Sequence, residues 1–159
     1  MIWGLSHRFD PSSAKIADRH YSRQKTGTNQ FSPPGRLCVL RIDNSALWGV
    51  VHQEAIDHQW KNSWNNFIFR NEGAGLSSEL ILQAVAATRY SLGDPPEGGL
   101  ITFINRDKVR KKRDFGRCYR KAGFIVVGET KIRKHLVLQL EPDKFPEMDL
   151  PIGAQHMLF

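Results

Sequence analysis

The sequence predicts a single α/β domain built on a mixed sheet, and three observations carry that reading. Apolar stretches of strand character alternate with stretches of helical periodicity along the chain. The segment 100–104 (LITFI) is continuously apolar, the pattern of a strand buried on both faces. Third, a short strand over 66–70 passes through Arg70-Asn71-Glu72-Gly73-Ala74-Gly75 into a long helix. In that helix Leu76, Leu80, Ile81, Ala84, Val85 and Thr88 recur at three-and-four spacing.

Taken in order, residues 1–5 read as a short first strand. Asp10 as N-cap and Pro11 at the first helical position start a helix that continues to about His20. After His20-Tyr21-Ser22-Arg23 comes a polar stretch, 24–32, closed by Pro33-Pro34-Gly35; its composition suits a substrate-facing segment. Segments 37–42 and 46–52 form a hairpin around Asp43-Asn44-Ser45. Residues 54–65 are aromatic and polar. Trp60 and Trp64, four apart, suit one face of a short helix or a loop packed on the sheet. The helix after the glycine turn ends in 93–99, where Pro95 and Pro96 forbid its continuation. Beyond strand 100–104 and Asn105, a basic run over 106–113 leads to a short helix at 115–122, stopped by Gly123. Strands at 124–127 and 135–140 flank a turn at 128–134. From Glu141, Pro142, Pro146 and Pro151 interrupt any periodicity, so 142–159 reads as an extended tail laid over a domain spanning 1–141.

A chain of 159 residues fits one domain with a proper core, and 40% hydrophobic with 25% charged residues is ordinary for a globular protein. No apolar run is long enough to span a bilayer, and MIWGLSHRFD lacks the pattern of a secretory signal. Cys38 and Cys118 have no paired ligand spacing, which favours free thiols in a reducing compartment over a disulfide framework or zinc site. The net charge of +7 is concentrated: between Arg106 and Lys134 there are twelve Lys/Arg against three acids. Such a patch is either a solvated face or a site for a phosphate-rich partner, nucleic acid or phosphorylated cofactor.

A strand, a glycine turn and a helix in that order make a backbone anion site. The first amides of a helix lack internal partners, and its dipole adds partial positive charge there. Gly73 and Gly75 let main chain approach a phosphate, and Arg70 stands at the strand end.

Arg70 through Gly75, followed by Asn105 at a strand end and by Tyr119 in a short helix closing on Gly123-Phe124, resembles the GNAT-type N-acyltransferase superfamily over about 37–140. Within it the chain looks like the phage Mom-like proteins that modify DNA bases. The residues behind this are His20-Tyr21-Ser22-Arg23, Asn71-Glu72, Ser77-Ser78-Glu79-Leu80-Ile81, Gly99 to Phe103 and Gly116 to Phe124. The resemblance implies a GNAT-like fold and an acetyl-CoA or other acyl-CoA donor. The donor's pyrophosphate would lie on the amides from Gly73 through Ala74, Gly75 and Ser77 to Ser78, with Arg70 nearby. The sheet would splay beside this turn to admit the pantetheine arm, Asn105 would hold that arm, and Tyr119 would protonate the leaving thiolate. The implied activity is modification of adenine N6 in phage DNA, in the cytoplasm of a bacterial host cell.

The acceptor amine must lose a proton, and Glu54 and His20 are the candidate bases, with Tyr21 and Ser22 converging beside His20. Arg23, Lys108, Arg110, Lys111, Lys112 and Arg113 are the candidate contacts to a DNA backbone, with Arg106 beside them. Six positive groups in the 106–113 run exceed what one cofactor needs. Trp60 and Trp64 either stack an extruded base or pack in the core. His20, His52 and His58 could in principle hold a metal, but no His-x-x-x-His pair supports one, and no metal is expected. Two other functions fit the same residues: an acetyl-CoA-dependent N-acetyltransferase of a small amine or protein, and a non-catalytic nucleic-acid-binding module.

Overall fold

The computed structural model describes residues 1–23, 25–28, 30–52, 59–108 and 114–155. Seven strands form one sheet in the order β1-β2-β3-β4-β5-β7-β6. They are β1 (Gly4–Leu5), β2 (Arg36–Ile42), β3 (Ala46–His52), β4 (Trp64–Asn71), β5 (Leu100–Ile104), β6 (Ile125–Glu129) and β7 (Leu136–Leu140). The helices are α1 (Pro11–Ala17), α2 (Ser77–Leu92) and α3 (Arg117–Lys121). β4 and β5 pair in parallel and every other neighbouring pair is antiparallel, so the sheet is mixed and the domain α+β.

Both faces of the sheet are covered. On one face Leu80, Ile81, Ala84 and Val85 of α2 pack with Leu40, Trp48 and Trp64 in the main core. On the other, Ile16 and Ala17 of α1 bury against Val39, Leu47 and Ile68. That is why β3 is buried from Ala46 to Val51: both alternating faces of the strand have a helix to meet. Asp10 caps α1 by accepting the Ser12 amide at 2.9 Å, with Pro11 at the first position.

β4 starts at Trp64, two residues before the expected strand, and Trp64 is buried in the core with Phe145 against it at 5.7 Å. A Trp64 enclosed in this way offers no face to a base, which corrects the stacking role for that residue. Residues 53–58, the other part of the expected aromatic segment, lie outside the described residues. α1 ends at Ala17 rather than His20, and the chain then turns through Asp18 to Ser22. α3 is shorter than expected at both ends. The tail docks along the domain: a 3-10 turn over Pro142–Lys144 is followed by the Pro146 carbonyl accepting from Arg89 at 2.8 Å and by Ile152 bridging Gly4.

Two irregularities meet at the centre of the sheet. The parallel β4–β5 ladder covers only Trp64↔Leu100, Asn65↔Ile101 and Asn66↔Thr102, although both strands run on beyond it. Past that point they diverge. On the other side of β4, Gly49 faces Ile68 while Val50 faces Asn66, so Phe67 is the extra residue of a bulge. The bulge turns two successive side chains, Phe67 and Ile68, to the α1 face. The Phe67 ring then lies over Gly49, where a Cβ would come within 2.4 Å of it.

Candidate active-site groove

Where β4 and β5 part, a groove of about 1200 Å³ opens. Asn65, Asn66, Thr102 and Asn105 from the two diverging strands contribute polar side chains to it. One end is bounded by Gly75, Ser77 and Ser78 at the start of α2, another wall by His20, Tyr21 and Ser22, and a third by Tyr119 and its neighbours on α3. Residues from five separate segments of the chain therefore meet at one defect in the sheet.

The start of α2 is open. Leu76 occupies the N-cap position without a side-chain cap, and the first helical backbone bond is Leu80 N–H to Leu76 carbonyl. The amides of Ser77, Ser78 and Glu79 therefore have no intrahelical acceptor. The turn before it is built by Asn71, whose Oδ1 accepts the Ala74 amide at 2.9 Å and whose Nδ2 donates to the Gly75 carbonyl and Ser77 Oγ. Gly73 sits at φ +92°, in the left-handed region that favours glycine. Gly73 and Ala74 do not line the groove, and the Ala74 amide is already used by Asn71.

Arg70 also lies off the groove. Its Nε donates to Glu72 at 2.6 Å, and Arg19 grips both oxygens of the same carboxylate at 2.8 and 2.9 Å. The Arg19 bond, then the Arg70 bond, hold Glu72 down at about pKa 2. This pair of bridges ties the turn after α1 to the end of β4, and so fixes His20 against the strand.

His20 is half-buried and has both ring nitrogens engaged. Nδ1 accepts the Ser22 amide at 3.1 Å and lies 2.7 Å from Ser22 Oγ, while the other nitrogen bonds the Phe69 carbonyl. A nitrogen that accepts an amide proton carries none itself, so the ring proton sits on Nε2 and the Ser22 hydroxyl donates to Nδ1. Burial, reinforced by the Arg70 charge, lowers the imidazole pKa to about 4. The Tyr21 ring packs on His20 at 4.3 Å, and its hydroxyl accepts from the Asn105 backbone amide, which ties the wall formed by His20, Tyr21 and Ser22 to the end of β5.

Tyr119 lines the groove but is almost wholly buried, and its hydroxyl donates to Asn66 Oδ1 at 2.6 Å. The direction of that bond is fixed, because Asn66 Nδ2 spends both protons on the carbonyls of Gly49 and Ile68, at 2.8 and 2.9 Å. Burial drives the phenol pKa far above its ordinary value. Tyr119 thus pins α3 to the bulge.

The far rim is cationic: Lys108, Arg117, Lys121 and Arg133 line it with His135, against one acid, Asp114, which pairs with Arg120. Lys108 is the described member of the expected DNA-contacting run; Arg110, Lys111, Lys112 and Arg113 lie outside the described residues, as do Glu54 and His58. Arg23 is not on the groove. Its Nε bonds Asp18 at 2.7 Å, its other nitrogens bond loop carbonyls, and its side chain is 6% exposed. Trp60 packs edge-on against Phe103 at 5.9 Å. Among the described residues no three His, Cys, Asp or Glu side chains converge as metal ligands, and no helix is long and apolar enough to cross a membrane.

Sequence reading missed Asn65, Asn66, Thr102, Lys121, Arg133 and His135. Two adjacent asparagines between aromatic residues were the available signal, since asparagine is depleted in strands unless its side chain has a task. Asn65 Oδ1 is buried in the groove without a partner among the described residues. Compared with protein-family models, curated proteins and solved structures, the chain matches none.

Proposed function

We propose that this chain is a GNAT-like acyltransferase that uses an acyl-CoA donor to modify an exocyclic amine of a nucleobase in DNA. One observation carries the reading. A single groove joins the divergence of two parallel strands, an uncapped helix start and a rim carrying Lys108, Arg117, Lys121 and Arg133, which suits phosphate groups. The order of elements, with a strand–turn–helix before the divergence and a tyrosine-bearing short helix after it, supports a GNAT-like fold.

The residues present fit such a donor. Open amides and the hydroxyls of Ser77 and Ser78 suit a pyrophosphate, and the cleft between β4 and β5 offers Asn65 and Asn105 as polar partners for an amide-bearing arm. When bound, acyl-CoA supplies an activated acyl group with a thiolate as leaving group. The His20–Ser22 pair then serves the acceptor side. Ser22 Oγ accepts the proton released by the amine and passes its own to His20 Nδ1. A base with a pKa of about 4 is too weak to deprotonate an aliphatic ammonium ion at neutral pH. It suffices for an aromatic amine, which is already neutral and becomes acidic only as the new bond forms. This chemistry favours a nucleobase over a lysine-like acceptor. Tyr119 keeps its proton on Asn66 and acts by holding the groove's floor in place.

Two measurements test this. Calorimetry should detect coenzyme A binding, and Ser78→Asp should weaken it at least tenfold with the melting temperature unchanged or slightly raised. An acid in the first turn favours the helix by about 0.5 kcal/mol but repels phosphate. Mass spectrometry of nucleosides from cells expressing the protein should reveal an altered base that is lost with Ser22→Ala. Coenzyme A binding without any altered nucleoside would refute DNA as the acceptor.

A further inference from the structure

The turn between β6 and β7 is an unusual feature for an exposed loop, because it is both rigidly held and tipped by an apolar residue. Thr130 and His135 close it with two bonds: the Thr130 amide donates to the His135 carbonyl at 2.9 Å and the His135 amide to Thr130 Oγ1 at 2.8 Å. Arg106 reaches across from the end of β5, pairing with Glu129 and donating to the Lys134 carbonyl at 3.0 Å. Lys134 adopts a left-handed conformation, φ +57°, that sharpens the return. At the tip stands Ile132, 94% exposed, the most exposed large apolar side chain among the described residues. Lys131 and Arg133 flank it without an acidic partner among the described residues. Arg133 and His135 also line the groove, so the tip stands at the groove's cationic mouth.

An isoleucine held in water by a braced turn buries almost none of its apolar surface among the described residues. Placed between two stacked bases it would bury its whole side chain, and the flanking cations would meet the phosphates on either side. We propose that Ile132 is a wedge that enters the base stack of a DNA duplex, with Lys131 and Arg133 on the backbone, and unstacks the nucleotide that then enters the groove. This rests on the reading of DNA as acceptor, and supplies what that reading lacks: a base inside a duplex cannot reach Ser22 unless something opens the stack. A single apolar residue between two cations suits a wedge better than a membrane contact, where a broader apolar face is needed.

The test uses the full chain and a short DNA duplex carrying a central 2-aminopurine, whose fluorescence rises on unstacking, with anisotropy for affinity. The wild type should bind and raise the fluorescence. Ile132→Ala should keep affinity within about threefold but cut the rise at least fivefold, and Ile132→Leu should restore it. Lys131→Ser with Arg133→Ser should weaken binding at least tenfold and lower the salt slope by about two, one for each phosphate left without its cation. Ile132 is 94% exposed, and Lys131 and Arg133 have no ion-pair partner among the described residues, so these variants remain folded. Binding with an unchanged rise in Ile132→Ala, or with no rise in the wild type, overturns the wedge and leaves DNA as acceptor standing. Failure to bind the duplex, together with retention on phosphatidylserine vesicles that Ile132→Ala abolishes, overturns both in favour of a membrane contact. Calorimetry with coenzyme A reports the donor site independently of either result.

Discussion

Asn66→Ala is expected to destabilise the protein by about 3–5 kcal/mol, the lower part of the range for three buried groups left unpaired at roughly 1–3 kcal/mol each. Asn66 is buried, and its carboxamide satisfies three partners at once: the carbonyls of Gly49 and Ile68 and the hydroxyl of Tyr119. The two carbonyls sit at the bulge, where the β3–β4 ladder is out of register and cannot supply them regularly. Alanine offers none of these bonds, and the site is too enclosed for water to replace all three. Asn66→Asp should be no better, because one carboxylate oxygen keeps an acceptor for Tyr119 but the other sets an acceptor against two carbonyls, and the change buries a charge. Tyr119→Phe removes one bond of the three and should cost about 1–2 kcal/mol. The double variant should lose less than the sum of the singles, since both remove the same hydrogen bond. Urea denaturation with an unchanged slope would measure each. An Asn66→Ala cost below about 1 kcal/mol would mean that the bulge is held by its backbone and not by this side chain.

The role of the Asn66 side chain also marks where sequence reading loses sight of the fold. The hairpin strand over Ala46–His52 was legible to the residue, because a continuous apolar run and an Asp-Asn-Ser turn bound it on one side. The α2 helix was legible from its periodicity and the prolines beyond it. The start of β4 was not: the expected strand begins at Asn66, and Trp64 and Asn65 join it only once the pairing with β5 is seen. In the groove, the helix start and the His20–Ser22 wall were legible because they are local motifs. The Arg19–Glu72–Arg70 cluster joins residues 53 positions apart, and its pairing withdraws Arg70 from the phosphate role its position suggested. Arg23 went the same way: an arginine in a polar loop reads as free until Asp18 is found to hold it. Lys121 and Arg133 lay in plain view in the basic stretch, and His135 at the start of the last strand. Only the β5–β7–β6 register brings them to the same groove as His20, and register between distant strands has no local signature.

Acidification from neutral pH to about 4.5 is expected to remove roughly 2 kcal/mol of stability, most of it through His20. The imidazole titrates at about 4 in the folded chain against a reference of 6.5. Below 6.5 the unfolded chain therefore binds the proton first, and stability falls as pH drops through that window until the folded histidine is itself protonated near 4. Above about pH 7 both states are neutral and the group contributes no slope. His135, lowered in the same direction by burial and by Arg133, adds to the trend. The depressed carboxylates act later and with the same sign. Asp10 and Glu72, both held down at about 2, give up their contributions only as pH falls from their reference values of 3.8 and 4.5 towards 2. The interval between 6.5 and 4.5 thus belongs to histidine. His20→Asn, which keeps a neutral acceptor for Ser22, should lose more than half of the pH dependence, whereas His135→Gln should lose little of it. Urea midpoints at about pH 7.5 and pH 4.7 would decide the matter, and a wild-type slope in His20→Asn would refute the assignment. The same displacement sets the expected rate profile. If Ser22 relays its proton to His20, activity should persist well below pH 6.5 and fall only as His20 is protonated near 4. An acid limb centred on an ordinary histidine would place the accepting base elsewhere.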